Sequence, residues 1–278
     1  MGRGRSAIGG RRGRVAGGQR GRAAGRPVAA AACGAAGEAG SRCIVGLVNA
    51  GGRTVATGGI HLAYETSGRP DAPPMVLLHG LGERGASWAP VIPWFAERFH
   101  VVALDLRGHG GSDRPGTYSL RLMCHDLLGA LDQLGLATVT LVGHSMGGGV
   151  AYLAAMRRPD QVGRLIVEDA PPPFRRDRAI PARPAEPLDF DWAAVPAILG
   201  EVNAGDLAAW DGLATITAPT LLIGGGPASH IPQDMLAAAA ARIPRCDLVT
   251  IPAGHDVHTA RPAEFAAAVL TWLAPDAP

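Results

Sequence analysis

Lysine is absent from this 278-residue chain, so all 26 of its basic residues are arginines, a bias that, with its many alanines, reflects GC-rich coding. Aromatic residues make up only 5%, but with 47% apolar residues the composition is still that of a globular chain, long enough for one large domain or two small ones. No apolar run approaches the roughly 18–20 residues that cross a bilayer, so no transmembrane helix and no membrane partner are expected. The four cysteines, Cys33, Cys43, Cys124 and Cys246, contain no C-x-x-C pair. Neither a zinc site nor a disulfide framework is therefore indicated, and a reducing, cytoplasmic setting is expected.

Charge is divided unevenly. Residues 1–47 hold nine arginines and one acid, Glu38, which is +8; subtracting this from the formal +2 leaves −6 for the rest. A nucleic-acid-binding body is thereby disfavoured. The Arg/Gly/Ala-rich leader has no aromatic residue and no hydrophobic period, and is expected to be a disordered extension. Arg11-Arg12 and the stretch Val28 to Cys33 hint at export, and an Arg/Gly tail can brush RNA, but the apolar stretch there is shorter than a secretory core needs.

The texture changes from about residue 48 onward, where a single domain is expected to run to 278. Met75 to Leu78, Val101 to Leu104, Val139 to Val142, Leu165 to Val167, Thr220 to Ile223 and Leu248 to Ile251 are near-continuous apolar runs, as suits strands buried on both faces of a parallel sheet. Helical patterns lie between them: Leu120, Cys124, Leu127, Leu128 and Leu131 share a face ended by Gly135, and Pro262 opens another helix carrying Phe265, Val269 and Leu273. The fold class is α/β, a mostly parallel sheet flanked by helices. Thr54 to Ala56 and Ile60 to Glu65, around Gly58-Gly59, predict an edge hairpin. Residues 170–219, rich in proline, predict a short cap or lid with a helix from Trp192 to Val202.

The strand Val139 to Val142 runs into Gly143-His144-Ser145-Met146-Gly147, a G-x-S-x-G followed by a helical run. By chance the pattern arises about 0.15 times in such a composition, so its weight comes from the coincidence of strand, tight turn and helix. Only glycine neighbours let the backbone bend there, and the helix aims its dipole and the Met146 N–H at a carbonyl under attack by Ser145. A serine hydroxyl needs a base. Among nine histidines, His255 lies just past the last predicted strand, on the sheet edge that presents Ser145; His258 is expected to cap or pack.

Together these segments resemble the α/β-hydrolase fold superfamily, of the single-domain serine esterase type, over roughly residues 53–275. Val76 to Gly82, with His79-Gly80, is similar to its strand-3 oxyanion loop, which implies that the Leu81 N–H joins that of Met146. Asp105 to Pro115 resembles its D-x-R-G-x-G-x-S turn, a structural element, and Gly254-His255 its catalytic-histidine segment. The acid departs from the common pattern: Ser229 stands where many relatives carry aspartate. Some esterases of the superfamily place the acid after the preceding strand, which here implies Asp169 with Ser229 as its helper. Glu168 should point to the opposite face, and Asp234 is the alternative acid.

The expected activity is cleavage of a small carboxylic ester through an acyl-enzyme, with no metal and no cofactor. Trp88, His144, Phe174 and Trp192 are expected around the substrate pocket. Relatives that open epoxides or carbon–halogen bonds use an aspartate where this chain has Ser145. C–C hydrolases, lactonases, cofactor-free haloperoxidases and inactive partner proteins remain alternatives. A dinucleotide reading of Gly80-Leu81-Gly82-Glu83-Arg84-Gly85 is weakened by Pro90 and Pro93, which disrupt the helix it requires.

Overall fold

The structure is a computed structural model that describes residues 1–2, 52–170 and 173–274. The expectations for the leader, including Cys33 and Cys43, lie outside the described residues apart from Met1 and Gly2.

Gly58 and Gly59, with φ of 55° and 81°, turn β1 (Arg53–Thr57) back on β2 (Ile60–Ser67) as the predicted antiparallel hairpin. The remaining strands are β3 (Pro74–Leu78), β4 (His100–Leu104), β5 (Val139–His144), β6 (Val162–Glu168), β7 (Thr220–Gly224) and β8 (Cys246–Thr250). They form one eight-stranded sheet in the order β1-β2-β4-β3-β5-β6-β7-β8, parallel from β4 to β8. The helices are α1 (Ile92–Ala96), α2 (Leu120–Gln133), α3 (Met146–Arg157), α4 (Ala194–Ala204), α5 (Leu207–Gly212), α6 (Gln233–Arg242), α7 (Val257–Ala260) and α8 (Pro262–Leu273).

Apolar side chains cover both sheet faces, which is why the central strands carry unbroken hydrophobic runs. On one face Met123, Leu127 and Leu131 of α2 and Val150 and Ala154 of α3 pack against Val76, Leu78 and Leu141. On the other, Trp88, Phe95 of α1 and Phe265 and Val269 of α8 pack against Leu77, Val142 and Ile166. One expectation fails here: β8 is not buried on both faces. It is the sheet's edge, with Leu248 and Val249 each 38% exposed. Its apolar run resembles those of the inner strands, and only the strand order distinguishes them.

The excursion between β6 and β7 forms a small cap of α4, α5 and a short 3₁₀ turn, Leu213–Thr215. The cap helix starts two residues later than expected, because the chain first makes a turn at Asp191, whose carboxylate accepts from the Ala193 N–H and whose carbonyl accepts from the Ala194 N–H, so that the N-cap is Ala193. Pro196 then falls in the first turn, where no N–H partner is lost, and Gly205 at φ 71° ends the helix. The cap is tied down by Tyr118 Oη to Asp191 (2.6 Å), the Leu120 N–H to Glu201 (2.7 Å) and Arg121 to Asp206 (2.5 Å). The D-x-R-G turn is structural, as expected: Asp105 accepts the N–H groups of Gly85 and Gly111, and Arg107 pairs with buried Asp126.

Candidate active site

Ser145 sits between β5 and α3 at φ 50° and ψ −114°, a conformation that non-glycine residues rarely adopt. The surrounding fold holds it there: its N–H donates to the Glu168 carbonyl of β6 (3.0 Å), and its carbonyl accepts from Gly149 in α3 (3.2 Å). Both glycines of the motif are required by space. A Cβ on Gly143 would lie 2.5 Å from the Gly147 carbonyl oxygen, and one on Gly147 would strike the backbone carbonyls of β3. The strained turn therefore projects the hydroxyl above the C-terminal edge of the sheet.

There it meets two predicted partners. His255 Nε2 is 2.9 Å from Ser145 Oγ, and His255 Nδ1 is 2.8 Å from Asp169 Oδ2. Asp169, also at positive φ (40°), is held by the Gly225 N–H on Oδ1 (2.9 Å), by Gln233 Nε2 (3.3 Å) and by the Ser229 hydroxyl on Oδ2. Burial alone would raise its pKa, but the hydrogen bonds from His255, Ser229 and Gly225 outweigh it and hold the carboxyl below its ordinary value. A carboxylate stays charged beneath the imidazole. Asp234, the alternative acid, lies in the first turn of α6 and is exposed. Glu168 faces away from Asp169, as strand alternation requires, and accepts from both the backbone and the Nδ1 of buried His258 (2.8 Å each).

Leu81 and Met146 are the residues whose N–H groups the resemblance implies as oxyanion donors. Met146 is the first residue of α3, where no intrahelical acceptor exists, and Leu81 N–H donates to no described residue. The loop carrying Leu81 is shaped by Glu83, whose carboxylate accepts the Gly80 N–H (3.1 Å), and by His109, which accepts the Gly82 N–H (3.1 Å).

Two pocket expectations are corrected. Trp88 is fully buried in the core, stacked on His258 at 4.1 Å between ring centres and packed near Phe265, so it lines no opening. His144 is 1% exposed and looks into the protein. It lies 3.6 Å from Glu83 and 3.6 Å from Asp256 and donates to the His255 carbonyl (3.2 Å). Burial alone would lower its pKa; Glu168, Glu83 and Asp256 prevail and push it up to about 9, while the His144 contact holds Glu83 well below its ordinary value against its own burial. The ring thus lies between the Glu83 loop and the His255 loop, bonded to the latter through Nε2, while its Nδ1 has no hydrogen-bond partner among the described residues. Phe174 packs on Trp210, and Trp192 near Phe190, within the cap. Glu83, Gln233 and His230, whose ring is 4.0 Å from that of His255, were not anticipated. Glu83 was hidden inside the false dinucleotide motif.

The opening beside Ser145 is a cavity of about 170 Å³ running along α3 beneath the cap. Met146, Gly149, Leu153 and Met156 form its floor, and Val202 and Ala209 part of its roof. No dinucleotide site forms after β3: the helix there, α1, is only five residues long.

Comparison with known proteins agrees with this architecture. The family model described as the alpha/beta hydrolase fold matches residues 73–190. Epoxide hydrolase 3 of Xenopus tropicalis is 41% identical over 118 residues, covering 41% of this chain and 32% of that protein. Epoxide hydrolase A of Mycobacterium tuberculosis is 37% identical over 123 residues, covering 43% and 38%. The chain thus spans only about a third of the length of these curated relatives. Among solved structures, a hydrolase from Pseudomonas aeruginosa PA01 superposes with a TM-score of 0.73 at 28% identity, covering 82% of this chain and 100% of that one. The enol-lactonase from Burkholderia xenovorans LB400, at 23% identity and TM-score 0.69 over 80% and 99%, shares the fold. The chain has the α/β-hydrolase fold.

Proposed function

We propose that this protein is a serine hydrolase that cleaves small carboxylic esters through an acyl-enzyme. The observation that carries the reading is the hydrogen-bonded series Ser145 Oγ, His255 Nε2, His255 Nδ1 and Asp169 Oδ2, at 2.9 and 2.8 Å. His255 takes the hydroxyl proton as Oγ adds to the ester carbonyl, and the Leu81 and Met146 N–H groups receive the developing oxyanion. The ester C–O bond then breaks, and the departing alkoxide takes the proton from His255. Water, deprotonated by the same imidazole, adds to the acyl-Ser145 carbonyl, and breakdown releases the acid and restores the serine. Asp169 holds the ring tautomer throughout, with Ser229 as its helper. The cycle calls for no metal or cofactor.

Relatives named as epoxide hydrolases favour a second reading. The nucleophile argues against it. Serine attack on an epoxide carbon would leave an alkyl ether, which has no carbonyl for water to attack, whereas an acyl-serine has one. A cap with a modest apolar cavity suits a short acyl chain. A chain-length series of p-nitrophenyl esters on wild type and Ser145→Ala, beside styrene oxide as a competing substrate, tests the proposal. Ester turnover abolished by the substitution, with fluorophosphonate labelling of Ser145, supports it; diol formation from the epoxide without labelling overturns it.

A further inference from the structure

Three glycines follow Met146 at the start of α3, and the fold demands only two of them. A Cβ on Gly147 would strike the Leu78 carbonyl, and one on Gly148 would strike the side chains of Ala170 and Val167. No side chain can stand at either place. A Cβ on Gly149 would meet only the Leu120 methyls among the described residues, at 3.4 and 3.7 Å, which is ordinary van der Waals contact. The Gly149 backbone is helical with no positive φ, and its N–H bonds the Ser145 carbonyl (3.2 Å), as that of any residue would. Glycine inside a helix is costly, because it gives the unfolded chain more freedom to lose. Alanine would fit both the space and the backbone at 149, and α3 uses it at Ala151, Ala154 and Ala155.

The packing of the fold gives no reason for a glycine at 149, but the cavity does. Gly149 lines it one helical turn beyond Ser145, about 6 Å along the axis. The floor is the row Met146, Gly149, Leu153 and Met156, at helical spacing on one face of α3. Three of these positions carry large apolar side chains, and the one a turn from the nucleophile is bare. Gly205, the other glycine in the wall, is accounted for: its φ is 71°, and a Cβ there would lie 2.5 Å from the Arg175 backbone nitrogen.

Which half of an ester lies there follows from His255. The alcohol oxygen must come within reach of Nε2, the proton donor to the leaving group, and His255 is not among the described residues that line the cavity. The acyl group, which stays bonded to Ser145 Oγ, is the half that enters it. Its first carbons beyond the carbonyl pass the turn at Gly149, whereas longer chains run on toward Leu153 and Met156. A missing side chain at 149 therefore supplies width beside those first carbons rather than length. We infer that Gly149 is a specificity-determining residue that receives a branch at the carbon next to the acyl carbonyl, so that the preferred substrates are esters of short acids branched at that carbon. This inference rests on the serine-hydrolase reading and deepens it.

p-Nitrophenyl isobutyrate and butyrate, isomers that differ only in the branch, test it, with the acetate as reference and each rate normalised to hydroxide hydrolysis. In the wild type the ratio of kcat/KM for isobutyrate to that for butyrate is expected to exceed one. Gly149→Ala should lower kcat/KM for isobutyrate by about tenfold or more, the cost of one methyl group too many in a fitted pocket. Butyrate should fall less and acetate least. The same substitution should raise the melting temperature by about 1–4 °C, which a glycine required by the fold would not allow. A wild-type ratio of one or below, or a ratio unmoved in Gly149→Ala, overturns the inference. So does a variant that is less stable, or one in which acetate falls as far as isobutyrate, because the glycine then serves the fold or the catalytic turn. Isobutyl and butyl acetates check the other half: a ratio between them that moves in Gly149→Ala would place the alcohol in the cavity and overturn the inference as well. Turnover of p-nitrophenyl acetate separates the two levels. If it is cleaved while the isobutyrate ratio is unmoved, only the role of Gly149 fails; if the wild type cleaves no ester, the hydrolase reading fails and takes this inference with it.

Discussion

Glu168 and Asp169 are adjacent at the end of β6, and each holds a histidine 2.8 Å away, yet the two pairs have opposite characters. The Glu168–His258 pair is sealed: both side chains have no exposure, the ring is stacked on Trp88, and His258 Nε2 has no partner among the described residues. The Asp169–His255 pair is open at one end, with the histidine side chain 18% exposed and its far nitrogen on Ser145. Strand alternation sends the two carboxylates to opposite faces, and what lies beyond each histidine does the rest. A buried carboxylate–histidine pair is a structural tie unless its distal nitrogen reaches a nucleophile and solvent.

The largest test of that contrast removes the nucleophile. Ser145→Ala is expected to lower kcat on p-nitrophenyl butyrate by about a million-fold with little change in melting temperature, since the hydroxyl donates to nothing that holds the fold. Next come the two acids. Asp169→Asn should cost about 10⁴ in kcat by allowing the wrong imidazole tautomer. Glu168→Ala should leave kcat within about tenfold of the wild type, about 1.4 kcal/mol of barrier, but lower unfolding stability in urea by about 1–3 kcal/mol for the orphaned donors of His258 alone. A larger kcat loss in Glu168→Ala than in Asp169→Asn would reverse the assignment of the two pairs.

The same contrast explains what could be read from the sequence. Ser145, His255 and the division between Glu168 and Asp169 were legible because they depend on local features: a turn that only glycine permits, a strand end, and the two-residue period. Trp88 and His144 were misplaced because their surroundings come from remote segments, α8 for Trp88 and the Glu83 and Asp256 loops for His144. The exposure of β8 was illegible for a similar reason. Periodicity shows that a strand is apolar but not its position in the sheet, and β8 at the edge has the same texture as β7 beside it. The cap helix, expected from Trp192 to Val202, runs from Ala194 to Ala204, two residues later at each end.

A smaller effect is expected in the cavity, which should distinguish acyl groups rather than enable catalysis. Leu153 lies on its floor one turn beyond Gly149. Replacing Leu153 with Trp should shorten the preferred p-nitrophenyl ester, with kcat/KM for hexanoate falling about tenfold or more relative to acetate, since each methylene denied its pocket forfeits about 0.8 kcal/mol. An unchanged chain-length profile would mean that the acyl group lies elsewhere.

The smallest effect concerns His144, a third histidine close to both pairs, with ring centres 4.7 Å from His255 and 5.1 Å from His258. Glu83 from the oxyanion loop, Asp256 from the His255 loop and Glu168 from β6 are the acids that hold it charged. Its folded pKa, about 9, stands above the roughly 6.5 of an unfolded histidine, so folding takes up a proton. The stabilisation is therefore complete below about pH 6.5 and is lost as pH rises through 9. Glu83, depressed by the same contact, contributes in the opposite sense, above the ordinary glutamate range, and loses its contribution as the medium becomes acidic. Thermal melts of the wild type should thus fall between neutral pH and about pH 9, and His144→Gln should flatten that slope while Ser145 still reacts with a fluorophosphonate. A His144→Gln melt profile parallel to that of the wild type over this window would mean that the ring is neutral and meets the His255 loop through its hydrogen bond alone.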